Sequence, residues 1–224
     1  MKYLTRNKVY QKVEPFKNAK KIYIFCEGER TEIDYFRFFQ GFASNIDIIP
    51  IPSDNGRSDP TKLKEQAENS FSNNTISLSK ELLDEVWFVI DTDRWNEGNK
   101  IDELKAFVEE KKRSYEGWYI AQSNPSFEIW LYYHLNSNKP NNKEVADAAS
   151  FKEFIAIKIR GGFDNRSMPL EIQQATLNAE KIFETENGQP TLYSTEVFNL
   201  AKRIINFTKA QLDKCLANLK ENNS

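Results

Sequence analysis

V-W-F-V-I-D-T-D, at residues 86–93, is a short apolar run that ends abruptly in two aspartates. A run of this length, rich in Val, Ile and aromatic residues, is typical of a central strand that is covered on both faces, as in a parallel sheet. Alternate strand residues point the same way, so Asp91 and Asp93 should share one face at the strand's carboxyl end, where α/β proteins bind their ligands. Two adjacent like charges are unfavourable unless a cation lies between them. The pattern therefore predicts a Mg²⁺ or Mn²⁺ site.

Three further segments have the texture of strands. They cover residues 21–26, 46–51 and 118–123, and helical segments at about 31–42, 60–71 and 100–116 lie between the strands. The alternation β-α-β-α-β-α-β, with connections long enough for crossovers, predicts an α/β fold with a parallel sheet flanked by helices. Thr31 is the predicted N-cap of the first helix. Pro50 and Pro52 indicate that the second strand ends early or lies at an edge.

The sequence changes character after the fourth strand. Asn124 as N-cap and Pro125 at the first helical position predict a helix start, and one apolar face follows, formed by Phe127, Trp130, Leu131, His134 and Leu135. Segments 144–159, 170–185 and 195–218 then read as helices, with no convincing strand. We therefore expect a polar N-terminal arm (1–19), an α/β domain (20–135) and a helical C-terminal region (136–224).

Composition excludes several classes of protein. The chain has 224 residues, 39% of them hydrophobic, and a formal net charge of −2. This overall charge is not typical of a nucleic-acid-binding protein, although it is compatible with a local stripe of basic residues. Two cysteines and one histidine give neither a disulfide framework nor a zinc site. No signal peptide or membrane span is apparent, so a cytoplasmic location is expected.

A third carboxylate joins the aspartate pair in the predicted sheet. Glu27 comes directly after the first strand, and it should face the same crevice as Asp91 and Asp93. Hard divalent cations prefer oxygen ligands, and Mg²⁺ usually takes one or two carboxylates together with waters and a substrate phosphate. Such a cation activates water or holds a scissile phosphate.

Three motifs resemble a known family. E-G-E-R-T-E-I-D-Y-F at 27–36, D-T-D at 91–93 and S-N-P-S-F-E-I-W-L-Y-Y-H at 123–134 are similar in kind and order to the RloB family of bacterial phage-defence proteins, whose catalytic domain is of the Toprim type. The resemblance places the Toprim glutamate on Glu27 and the two aspartates on Asp91 and Asp93. It implies metal-dependent nuclease action beside an AAA-type ATPase partner. The chain departs from fused OLD-type nucleases in lacking an ATPase domain, and it lacks a zinc-binding cysteine cluster.

Further acidic residues are candidates for the same crevice. Glu128 lies near the start of the predicted Asn-Pro helix, where it could serve in catalysis or simply complement the helix dipole. Glu29 and Glu32 are candidates for positions farther from the metal, and they too could simply complement the helix dipole. We expect His134 to be a packed residue.

Candidate contacts to substrate lie in the nearby loops. Arg30, Arg94 and Asn124 are the residues expected to bind substrate, since an arginine can stabilise developing negative charge. Arg57 also adjoins the crevice loops, and for all three arginines the alternative is exposed charge that keeps the protein soluble. Ser123 is expected to cap a helix rather than to contact substrate. Three basic residues flank Gly161-Gly162 and could bind a phosphate backbone, namely Lys158, Arg160 and Arg166.

Alternative functions stay open. The chain could be a non-catalytic Toprim-like module that regulates or assembles with an ATPase. A haloacid-dehalogenase-type phosphatase is disfavoured, because Arg94-Trp95-Asn96 follows the aspartates. A sugar-nucleotide transferase is disfavoured for lack of a second substrate region. The choice between DNA and RNA, the general base and any homo-oligomer remain undetermined by the sequence.

Overall fold

The computed structural model describes residues 12–53, 59–92, 99–159 and 161–222. Its centre is a four-stranded sheet of order β2-β1-β3-β4 in which every pairing is parallel. The strands are β1 (Lys20–Cys26), β2 (Ile46–Pro52), β3 (Glu85–Asp91) and β4 (Trp118–Ser123). The predicted α/β class and all four strands are confirmed.

Helices cover both faces of the sheet and make up most of the described C-terminal region. They are α1 (Thr31–Arg37), α2 (Pro60–Ser72), α3 (Lys100–Lys112), α4 (Glu128–Tyr132), α5 (Asn142–Ala146), α6 (Phe151–Lys158), α7 (Ile172–Ile182) and α8 (Val197–Asn222). A 3₁₀ turn, Met168–Glu171, precedes α7. The sheet is thus the middle layer of a three-layer arrangement.

Strand alternation divides the core into two clusters. Ile22, Ile24 and Trp87 point to one face, where they join α1, α4 and the C-terminal helices. Phe25 and Phe88 point to the other, towards α2 and α3, and their rings stack with centroids 5.4 Å apart. β1 and β3 are buried on both faces because they are the inner strands, which explains their continuous apolar runs.

The two edge strands of the sheet differ in what lies beside them. β2 lies at one edge, as its prolines predicted, and it continues to Pro52. At the other edge, the backbone segment that leads into α8 hydrogen-bonds to the carboxyl end of β4 and covers it. The N–H of Glu196 donates to the carbonyl oxygen of Gln122 (2.8 Å), and Ser123 forms a bridge with Thr195.

Several local predictions are wrong. Asn124 and Pro125 do not begin a helix: their peptide bond is cis, the side chain of Asn124 donates to the carbonyl oxygen of Pro190, and α4 begins only at Glu128. β4 ends at Ser123, and the chain turns at Asn124 and Pro125 before α4. Leu135 is 53% exposed because the helix ends before it.

Two further corrections concern helix and strand boundaries. Thr31 is the first residue of α1, and Arg30 occupies the N-cap position without a side-chain cap. The C-terminal region also contains a short antiparallel hairpin, β5 (Thr185–Glu186) and β6 (Gln189–Pro190), joined through Asn187 and Gly188 at positive φ. An Asn-Gly turn between two short strands is a common hairpin signal, but two-residue strands carry no periodicity to reveal them.

Across the described ranges, no helix combines the length and the apolar character that crossing a bilayer requires.

Candidate functional site

Two acidic side chains meet at the carboxyl edge of the sheet. Glu27 follows β1, Asp91 ends the neighbouring strand β3, and the backbone N–H of Asp91 donates to Oε2 of Glu27 over 2.8 Å. Glu27 is only 7% exposed. Parallel pairing of the two strands brings residues 64 positions apart to the same point.

Asp91 is the electrostatic centre of this edge. Its Oδ1 accepts a hydrogen bond from the backbone N–H of Phe127 (2.8 Å). Loss of hydration raises the pKa of Asp91 well above its ordinary value, and the charges of Glu27, Glu32 and Glu128 raise it further. A carboxyl group in this setting stays protonated or requires a cation.

Glu32 adds a third carboxylate from the first turns of α1. It is 5% exposed, and its side chain folds back over Gly28, where a Cβ would lie 2.0 Å from its Oε2. Burial raises the pKa of Glu32 to about 7, although backbone N–H groups, including that of Gly28, oppose the shift. Glycine in the E-G-E-R-T-E motif is therefore what makes room for this carboxylate.

Glu128 is the fourth carboxylate, at the start of α4. Its side chain is 13% exposed, its Oε2 accepts a hydrogen bond from the hydroxyl of Ser126 (2.7 Å), and its Oε1 lies 3.5 Å from Nζ of Lys152. Lys152 comes from the first turn of α6, which packs on α4. We call Glu27, Glu32, Asp91 and Glu128 the carboxylate cluster.

The carboxylate cluster has the donor chemistry of a site for a hard divalent cation. All four side chains offer oxygen atoms, and the raised pKa of Asp91 shows that its negative charge lacks compensation. Within the described ranges, no three acidic, histidine or cysteine side chains are already arranged as a metal-binding group. Mg²⁺ suits such a site, since it commonly takes one or two carboxylates and completes its shell with water and phosphate.

The residues predicted from sequence divide into four groups. Glu27, Asp91 and Glu128 lie together, with Glu32 beside them. Glu29 and Arg30 are exposed at the turn before α1. Four of the predicted residues lie outside the described ranges, namely Arg57, Asp93, Arg94 and Arg160.

The remaining predicted residues have local partners. The Oγ of Ser123 lies 2.8 Å from Oγ1 of Thr195, so it helps to seal β4. His134 is buried between the Tyr35 hydroxyl (3.1 Å) and the Trp130 carbonyl oxygen (3.0 Å). Near Gly161-Gly162, Lys158 forms an ion pair with Glu144, and Arg166 forms one with Asp164.

Sequence reasoning missed two features of the site. Lys152 reaches Glu128 although it belongs to a helix more than 20 residues away, and nothing marks it among many exposed lysines. The backbone N–H of Phe127 is aimed at Asp91 by the turn that contains the cis Asn124-Pro125 bond. Because S-N-P-S-F-E was read as a helix start, this donor could not be foreseen.

The arrangement offers carboxylate oxygens of the kind that a hard cation prefers, and one carboxyl group, that of Glu32, has a pKa of about 7. Comparison with known proteins identifies a matching protein family. Residues 22–204 match the sequence model of the family described as RloB-like protein. No match was found among curated proteins or among solved structures.

Proposed function

We propose, from the premise that the chain belongs to the RloB-like protein family, that it is a Mg²⁺- or Mn²⁺-dependent nuclease that hydrolyses phosphodiester bonds in DNA or RNA. The observation that carries the proposal is the carboxylate cluster, in which Asp91 has a pKa raised by burial and by three neighbouring acids. Strongly perturbed carboxyl groups at the ligand-binding edge of an α/β sheet are typical of functional sites.

Each residue of the cluster has a part in this proposal. Glu27 and Asp91 would hold the cation, together with Asp93. When bound, the cation supplies charge stabilisation at the scissile phosphate and lowers the pKa of water. Glu32, with a pKa of about 7, is suited to exchange a proton at neutral pH.

Two more side chains would act on the substrate. Lys152 lies next to Glu128 and is itself well exposed, so its ammonium group can approach a phosphate oxygen while Glu128 orients it. Arg30 and Arg94 are proposed to contact the phosphate backbone, and Asn124 to contact the substrate beside the cluster. The general base is Glu32 or a neighbouring carboxylate.

The family resemblance extends the proposal to a biological role. The resemblance to RloB-type phage-defence proteins implies a defence role and an AAA-type ATPase partner. We propose that the protein acts in bacterial antiviral defence with such a partner. A nuclease that is active without a trigger harms its own cell, so partner-controlled activity fits the role.

A second candidate function is a non-catalytic module that assembles with the ATPase. It is favoured by one observation: backbone N–H groups already donate hydrogen bonds to three carboxylates of the cluster, namely Glu27, Glu32 and Asp91. A module of this kind binds its partner and is indifferent to the cation.

Cleavage assays separate the two candidates. Purified protein would be incubated with single-stranded DNA, duplex DNA and tRNA, with Mn²⁺ or EDTA, alone and with the neighbouring AAA-type ATPase. We expect Mn²⁺-dependent cleavage that falls by at least about 100-fold in Asp91→Asn and Glu27→Gln, since several kcal/mol of charge stabilisation is lost. Asp34→Asn is the control, because Asp34 is an exposed acid on α1. Cleavage that persists in Asp91→Asn, or no cleavage under any condition, contradicts the nuclease proposal.

A further inference from the structure

A polar pocket opens beside the carboxylate cluster, on the β4 side of the sheet. Its volume is about 470 Å³, within the range of small-molecule sites. Thr92, the residue directly after Asp91, forms one wall, and Asn124 lies beside it. Because neighbouring strand residues point to opposite faces, the pocket meets the carboxyl edge of the sheet from the α3 side, while the Asp91 side chain faces α4.

The β5–β6 hairpin forms the opposite wall and is fixed in place by three hydrogen bonds. Nζ of Lys105 donates to the Gly188 carbonyl oxygen (2.7 Å), and Nδ2 of Asn124 donates to the Pro190 carbonyl oxygen (2.9 Å). Nε2 of Gln122 donates to Oε1 of Gln189 (2.6 Å). A wall held in this way is preformed, so a ligand need not order it.

The pocket is rich in hydrogen-bond acceptors. Asp102 and Glu186 line it, and no lysine or arginine does so among the residues that the structure describes. Immediately behind the wall, Nε2 of the fully buried Gln122 also donates to Oγ1 of Thr92, while Oε1 of Gln122 has no hydrogen-bond partner. Gln122 does not itself line the pocket, so it contributes by holding two residues that do, Thr92 and Gln189.

We propose that this pocket binds a nucleobase that carries an exocyclic amino group, and so selects the nucleotide next to the bond that is cut. The inference rests on the proposed nuclease function and deepens it. Cytosine and adenine present amino donors, whereas uracil and thymine present a carbonyl acceptor at the same position. Carboxylates accept from such donors and repel both a carbonyl oxygen and a phosphate.

The shape of the pocket supports a base over other donor-rich ligands. Pro190 and Leu192 add apolar surface to the polar wall, which matches a flat ring with a polar edge. An arginine side chain of a protein partner also carries donors. The position of Thr92 directly after Asp91 favours the nucleic acid, because a base bound there keeps its own phosphodiester within reach of the carboxylate cluster.

Binding of cytidine and uridine, measured by NMR titration in EDTA, tests the pocket without requiring cleavage. The variants are the double substitution Asp102→Asn/Glu186→Gln, the control Glu103→Gln on the exposed face of α3, and Asp91→Asn. We expect saturable cytidine binding at least about fivefold tighter than uridine binding, as for a specific base contact. The preference should fall to within about twofold in the double variant, and persist in Glu103→Gln and Asp91→Asn.

The outcomes distinguish this inference from the nuclease proposal. Equal binding of the two nucleosides, no saturable binding of either, or an unchanged preference in the double variant overturns base selection. If the pocket binds argininamide tightly and does not bind nucleosides, base selection is also overturned, and a peptide ligand is indicated. Nuclease action is tested separately by the loss of cleavage in Asp91→Asn, whose cytidine binding should be intact.

Discussion

The backbone N–H of Asp91 donates a 2.8 Å hydrogen bond to Oε2 of Glu27, joining the two motifs that carry the proposed chemistry. The bond fixes the Glu27 side chain at the end of β3, so a change at one residue alters the other. Glu27 also raises the pKa of Asp91. The charges of Glu32 and Glu128 act on Asp91 in the same direction.

Glu32 should destabilise the metal-free protein as the pH rises. Burial raises the pKa of Glu32 to about 7, from 4.5. A raised carboxyl pKa stabilises the fold fully below the unfolded value, and this contribution is lost as the pH rises through 7. The loss is about 3 kcal/mol between pH 4.5 and pH 8. Urea unfolding in EDTA at several pH values should show this loss as a difference between two proteins: the free energy of unfolding of the wild type should fall relative to that of Glu32→Gln as the pH rises from 4.5 to 8. Parallel profiles for the two proteins would contradict the assignment.

His134 should act in the opposite direction. Burial lowers its pKa from 6.5 to about 3. The neutral form is required in the fold, so stability is lost as the pH falls below 6.5, by about 2 kcal/mol at pH 5. His134→Gln keeps a donor and an acceptor for Trp130 and Tyr35. The difference in unfolding free energy between wild type and variant should therefore shrink as the pH is lowered from 7 to 5. A constant difference would show that His134 is not held neutral.

Gly28→Ala should impair activity through Glu32. The added methyl group would lie 2.0 Å from Oε2 of Glu32, so that carboxylate must leave its place. We expect at least about tenfold weaker cleavage, in the range of lost acid–base catalysis, with a small change in stability because the displaced atoms are the end of a flexible side chain.

A double variant identifies the route of this effect. If Gly28 acts by admitting Glu32, cleavage by Gly28→Ala/Glu32→Ala should equal cleavage by Glu32→Ala alone. Losses that multiply would mean that Gly28 serves the turn after β1 independently of Glu32.

Lys152→Gln should strengthen binding of Mn²⁺. The ammonium group lies 3.5 Å from Oε1 of Glu128 and repels a cation in the carboxylate cluster. Because Lys152 is 75% exposed, the expected gain is at most about fivefold in affinity. Lys158→Gln is the matched control, since Lys158 lies on the same helix and pairs with Glu144. Calorimetric titration should show tighter binding only in Lys152→Gln, while an equal change in both variants would reflect net charge alone.

The sheet could be predicted because its strands carry strong local signals. Each inner strand is a continuous apolar run ending in polar residues, and parallel pairing then places Glu27 beside Asp91 without further information. The edge position of β2 followed from its prolines, which cannot donate to a neighbouring strand.

The rest of the site depends on tertiary contacts that leave no local pattern. The turn at Asn124-Pro125 resembles a helix start, yet the chain bends there because Asn124 is tied to Pro190 of the hairpin. Lys152 reaches Glu128 only because α6 packs on α4. The pocket wall likewise comes from strands of two residues, too short for periodicity to reveal.

The central claim is that the carboxylate cluster binds a divalent cation, and thermal unfolding with and without Mn²⁺ tests it most directly. A ligand at 100 times its dissociation constant adds about 2.7 kcal/mol to the folded state, which corresponds to roughly 5–10 °C for a protein of this size. We predict that shift for the wild type and for the control Asp34→Asn, and its loss in Asp91→Asn, which should itself be at least as stable as the wild type in EDTA. An unshifted wild type, or an equal shift in Asp91→Asn, would contradict the claim.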